Sequence, residues 1–161
     1  MLNIQITGDR ELIARFTAMP DQVRRALLKK VTQLALQLES KIKTEKLSGQ
    51  VLHVVSGKLR ASIFNEVTQT GDSTIGKAAS SGDVKYAAIH EFGGTIEIPE
   101  IVAKGKALAF MQGGKMAFYK KVAAHTVTMP ERSFMRSSLA DMKDQIIQEM
   151  TDAVREGVQV R

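Results

Sequence analysis

The chain has 161 residues, 43% of them apolar and 25% charged, with a formal charge of +6 and no cysteine. Such a length and composition fit one globular domain with its own core and argue against wholesale disorder. The missing thiols exclude disulfides, thiolate catalysis and cysteine-ligated zinc, so folding rests on burial.

The first residues, Met1 to Ile6, alternate without a basic segment ahead of an apolar run, so no signal peptide is expected. No apolar run approaches the roughly 18 residues of a membrane span. The positive charge is uneven. Pro20 to Leu47 holds seven basic residues against three acidic, whereas Glu131 to Arg161 holds five against six. The basic stretch could meet an acidic partner or a phosphate backbone, which makes a nucleic-acid-binding module the alternative function to weigh. A solvated helix face is the simpler reading, because no aromatic residues interleave the cations there.

In chain order, Met1 to Thr7 has the period-2 pattern of a half-buried strand, and Arg10 to Ala18 that of a short helix capped by Asp9. Pro20-Asp21 opens a long helix in which Val23, Leu27, Val31, Leu34, Leu38 and Ile42 form one stripe. At about 27 residues it would be about 40 Å long, fraying near Thr44 or projecting towards a neighbour. Leu28 and Leu36 lie off the stripe and are candidates for a second apolar contact, either internal or between subunits.

Ser56 is a candidate cap for a short helix placing Leu59 and Ile63 on one face. Phe64 to Thr70 and Thr74 to Ala79 then read as a hairpin, and Tyr86 to Phe92 as one or two helical turns stopped by Gly93-Gly94. Beyond it, Thr95 to Thr128 reads as a mobile arm. Thr95 to Ile98 is a strand, Ile101 to Lys106 an exposed connection, and Ala107 to Met111 with Met116 to Ala124 a hairpin around Gly113-Gly114. Lys104, Lys106 and Lys115 make the arm lysine-rich, as suits an edge protected from aggregation or awaiting a partner. After Pro130, with Ser133 as a candidate cap, Met135, Leu139, Met142, Ile146, Met150 and Val154 predict one last helix. The fold class is therefore α+β: a small, mainly antiparallel sheet packed with two long amphipathic helices, in a single domain over 1–161 with an extended β arm at 95–128.

Chemical motifs are lacking. His53, His90 and His125 do not have the i, i+4 spacing of a helical metal pair. Ser56-Gly57-Lys58 fails as a phosphate loop because Gly49 lies eight residues before Gly57 and Leu59 stands where a hydroxyl is needed. Glu91 has no second carboxylate to work with. Neither an enzyme nor a cofactor is expected.

Four segments in order do carry a resemblance. These are Ser56-Gly57-Lys58-Leu59-Arg60-Ala61-Ser62-Ile63, Tyr86-Ala87 with Glu91-Phe92-Gly93, Lys106-Ala107-Leu108-Ala109-Phe110, and Pro130-Glu131-Arg132-Ser133-Phe134. Together they resemble the tailed-phage virion morphogenesis proteins, the tail-completion or neck components, from about Pro20 to the end. That family often has a second proline where Met129 stands here. The resemblance implies a non-enzymatic structural protein, a homo-oligomeric and by family hexameric ring at the head-proximal end of the tail. It implies tail-tube and head-connector partners, DNA passing through the ring, no membrane partner, and a location in the virion after assembly in the host cytoplasm.

Beside this, Arg60 and Arg132 each follow a turn and are candidates to offer a planar donor fork to Glu91, within a subunit or across a ring. Leu59, Ile63, Tyr86, Phe92, Phe110 and Phe134 are expected as core anchors.

Overall fold

The computed structural model describes residues 2–3, 21–71 and 73–159. The predicted helix Arg10 to Ala18 and most of the predicted first strand lie outside these residues. Among those described, the elements are β1 (Leu2–Asn3), α1 (Asp21–Thr44), a 3-10 turn (Lys46–Ser48), α2 (Lys58–Ser62), β2 (Ile63–Thr70), β3 (Ser73–Ser80) and α3 (Ala87–Phe92). They continue with β4 (Gly94–Ile98), β5 (Ile101–Val102), β6 (Leu108–Gln112), β7 (Lys115–Tyr119), β8 (Lys121–Val122), β9 (His125–Met129), α4 (Met135–Asp141) and α5 (Lys143–Gln159). The fold is α+β with small antiparallel sheets and long helices. No described helix is long and apolar enough to cross a membrane.

Helix α1 forms where the apolar stripe recurs. Val23, Leu27, Leu34, Leu38 and Ile42 are buried, with Asp21 in the first turn and Lys41 and Lys43 in the last, as the helix dipole favours. It stops at Thr44 instead of running on as a projecting rod. The 3-10 turn then folds Leu47 back into the core.

The strands β2 and β3 pair from Ile63↔Ser80 to Thr70↔Ser73, and β1 adds to the other side of β3 at Leu2↔Ser80 and Asn3↔Ala79. Helix α1 lies on this sheet at Gly76, where a Cβ would come within 2.9 Å of Val31 Cγ1. Beside that contact, Asn65 of β2 donates to Glu39 of α1, which also pairs with Lys43. Burial pushes the Glu39 carboxyl up, but the hydrogen bonds from Lys43 and Asn65 outweigh it and hold it below its usual range.

The last helical stretch is two helices, not one. The Met142 N–H shares the carbonyls of Ser138 and Leu139, each at 3.2 Å, a tightened turn that separates α4 from α5. Helix α5 packs on α1 through Ala153 against Val23 and Leu27, with Lys30 on Glu149 at 3.2 Å and Gln145 on Gln37 at 2.9 Å. Gly157 makes the closest approach: a Cβ there would sit 2.7 Å from Val23 Cα. The main core joins Leu34, Leu38 and Ile42 of α1 to Ile63, Ala78, Ala87, Phe134, Met135 and Met142.

Candidate assembly site

Residues 94–129 leave this body as three ribbons laid end to end. Strand β4 pairs β9, β5 pairs β8 and β6 pairs β7, all antiparallel, and none joins the three-stranded sheet. The arm is thus one long nested hairpin. Ile101–Val102, expected in a connection, is a strand facing Lys121–Val122, and the single strand expected over Met116 to Ala124 is divided into β7 and β8.

The root of the arm is built around one carboxylate. Glu91 lies in the last turn of α3, just before the arm begins, and is completely buried. Its Oε2 accepts the backbone N–H groups of Phe134 (2.8 Å) and Met135 (2.9 Å). Its Oε1 accepts Arg136 N–H (2.9 Å), Arg136 Nε (3.1 Å) and the Ser133 hydroxyl (2.9 Å). These are the donors at the start of α4, which have no acceptors within the helix, so Glu91 caps a helix that follows the arm. Phe134, the residue at the N-cap, has no capping side chain; the expected cap, Ser133, accepts the Ser137 N–H on Oγ at 3.3 Å while its hydroxyl donates to Glu91.

Arg136 completes the clasp. Its Nη2 donates to Glu91 O and to Glu131 Oε1, both at 2.8 Å, and its guanidinium carbon lies 4.6 Å from the centre of the Phe92 ring. The arginine facing Glu91 within the subunit is therefore Arg136, not Arg60 or Arg132. Arg60 lies at the surface with Nη1 3.4 Å from Ser48 Oγ, beside an open depression lined also by Lys43 and Val54. Arg132 contributes its backbone N–H to His90 O at 2.8 Å. Around the clasp, desolvation and then the Arg132 charge push the His90 imidazole below its ordinary pKa, and its buried Nδ1 has no hydrogen-bond partner.

Gly93 joins α3 to the arm at φ +68° and ψ −173°, a region open essentially to glycine alone. A Cβ there would meet Glu131 N at 2.7 Å and Met129 O at 3.0 Å. The chain entering the arm and the chain leaving it thus touch through backbone.

Of the expected core anchors, Ile63 and Phe134 are buried and Leu59 packs half-buried against the core. Tyr86, Phe92 and Phe110 are instead exposed. Tyr86 stands edge-on to His90, Phe92 lies beneath Arg136, and Phe110 stacks on Tyr119 far along the arm. Leu28 is half-buried and Leu36 exposed on α1, while Lys104, Lys106 and Lys115 are exposed on the arm. The sequence reading missed Arg136, which stands four residues after Arg132, and the apolar residues Met111, Met116 and Phe118. The latter share a face through the pairing of β6 with β7 across Gly113-Gly114, which four successive apolar residues in β6 do not reveal by alternation. Among the described residues no group of three or more His, Cys, Asp or Glu could hold a metal ion.

The architecture is a helix-on-sheet body carrying a β arm clasped at its root. The chain belongs to the phage virion morphogenesis family, whose model matches residues 28–159, from the first half of α1 to the end of α5. No curated protein and no solved structure matches it.

Proposed function

We propose that the protein is a non-enzymatic structural component of a tailed-phage virion that acts in tail completion and head-tail joining, as a ring at the head-proximal end of the tail. The observation that carries this is the arm. Half of the large apolar side chains left exposed on the described residues belong to it, and apolar surface of that kind marks a partner surface. A ring subunit needs two unlike patches, and the arm supplies one. Tail-tube and head-connector proteins are the partners that this reading requires.

The reading as a nucleic-acid-binding module through the basic first helix has less support. Lys30, Lys41, Lys43 and Lys46 each engage a carboxylate of the same chain, which leaves fewer cations free for phosphate. A salt-titrated duplex-binding measurement separates the two. The main test is electron microscopy of particles made without the protein: filled heads and separate tails are expected, and normal infectious particles would refute the assignment. Hydrogen exchange over residues 95–128 should slow on assembly; equal protection before and after would count against the arm as the assembling element.

A further inference from the structure

The register of the β6–β7 hairpin sorts its side chains onto two faces. On one, Phe110 stacks on Tyr119 with ring centroids 5.3 Å apart, and the Tyr119 hydroxyl donates to Gln112 Oε1 at 2.7 Å. That face is partly satisfied by itself. The other consists of Ala109, Met111, Met116 and Phe118, without a polar side chain, and Met111, Met116 and Phe118 are 65%, 54% and 67% exposed. A two-stranded ribbon is marginal alone in water, and one with a solvated face ordinarily places polar residues there. This face is composed to be covered.

Nucleic acid is a poor occupant, since no cation lies on that face. A protein surface fits, and the chain itself presents one. On α5, Ile147 and Val158 are 57% and 67% exposed and point the same way, eleven residues or about three turns apart. Setting aside the ion pairs within the chain (Lys121 with Glu100, Lys30 with Glu149, Arg155 with Asp152), the arm from 94 to 129 keeps four lysines against Glu97, whereas α5 keeps Asp144 and Glu156 against Lys143. The charges are complementary. Of another exposed apolar pair, Val54 and Val55, Val54 lines a depression with Lys43 and Arg60, of the same sign as the arm. We propose that the Met111–Met116–Phe118 face of the arm seats on the outer face of α5, at Ile147 and Val158, in a second copy of this chain. This rests on the ring reading and specifies its contact, an unlike-patch junction that repeats head to tail.

The absence of cysteine makes the test clean. Full-length Phe118→Cys and Ile147→Cys chains are mixed, oxidised and analysed by mass spectrometry, with Val55→Cys replacing Ile147→Cys as the control. A 118–147 disulfide well above the 118–55 background is expected. In parallel, Met111→Ser with Phe118→Ser, at exposed positions, should keep the circular dichroism and melting of the parent while light scattering shows a shift to monomer mass. A 118–147 yield no higher than control, or an unchanged oligomer in the double variant, overturns the seat. If rings persist in that case, the ring reading stands without it. A parent chain that remains monomeric at every concentration and shows no cross-link removes both. Duplex binding lost in the double variant would assign the face to nucleic acid and also overturn the seat.

Discussion

Replacing Glu91 by glutamine tests the clasp with almost no change of volume. The carboxylate accepts five hydrogen bonds, two on Oε2 and three on Oε1. A glutamine keeps one acceptor oxygen and turns the other into a donor. If the amide nitrogen takes the Oε2 place, the Phe134 and Met135 N–H groups face a donor; if it takes the Oε1 place, the Arg136 N–H and Nε do. Either way two donors at the start of α4 lose their acceptor, two of them fully buried in the first case. Each orphaned buried group costs about 1–3 kcal/mol, so Glu91→Gln should destabilise the protein by roughly 2–6 kcal/mol. Arg136→Met leaves the backbone donors on Glu91 intact. Because Arg136 is 44% exposed, that variant should lose less, under about 2 kcal/mol. Urea unfolding of both variants beside the parent, with equal m-values, gives the comparison. A Glu91→Gln variant within about 0.5 kcal/mol of the parent, or less affected than Arg136→Met, would refute the cap as the basis of the clasp.

Gly93→Ala should cost about 1–3 kcal/mol in backbone strain and a similar amount in overpacking against Glu131 and Met129, seen as a lowered urea midpoint. Gly157→Ala should gain about 0.8–1 kcal/mol of helix propensity but lose about 1–3 to the clash with Val23, a net destabilisation that thermal melting would register. The depressed His90 pKa means that the unfolded chain binds the proton more readily. Stability from this group is complete above the ordinary histidine value of about 6.5 and declines as pH falls below it, a trend that His90→Gln should flatten in urea midpoints taken between about pH 8 and 5. Glu39 and Glu149 are also held low, so their contribution is lost in a separate window, as pH falls through the carboxylate range. Excising residues 98–125 and closing β4 onto β9 with a two-residue turn should leave a body that unfolds cooperatively, because Gly94 and Met129 are already paired; loss of the transition would show that the arm holds the body together.

The helices were legible because burial enforces a period. Every α1 stripe position except Val31 is buried, and Val31 lies against Gly76 of the sheet. The same regularity hid the break at Met142, since Leu139, Met142 and Ile146 continue the stripe through it and the departure is only in backbone hydrogen bonding. Ile101–Val102 has too few residues to show alternation, so its sequence resembles a connection; its pairing follows only from the nested hairpin around it. Glu91 was recognisable as a carboxylate needing partners, but its donors lie 42 to 45 residues away, and three are backbone groups that leave no mark in residue type. Phe92 looked like core because phenylalanine usually is; here one face serves the Arg136 guanidinium, and that partner was not foreseen.

The stretch from Glu91 to Arg136 contains the whole arm, and its two ends meet in one hydrogen-bonded unit. Glu91 precedes the arm and caps the helix that follows it, His90 O accepts Arg132 N–H, and Gly93 fits against Glu131. The cap lands on Phe134 and Met135, both fully buried in the main core, so the arm is referred to the body through its least compliant part. Such a root fixes direction, while the tip, apolar on the Met111–Met116–Phe118 face of the β6–β7 hairpin, supplies contact. Changes at the two places should therefore differ in kind. Loosening the root through Glu91 lowers stability and misdirects a tip that is still competent to bind, whereas polar substitution at Met111 or Phe118 leaves folding alone and removes the contact itself.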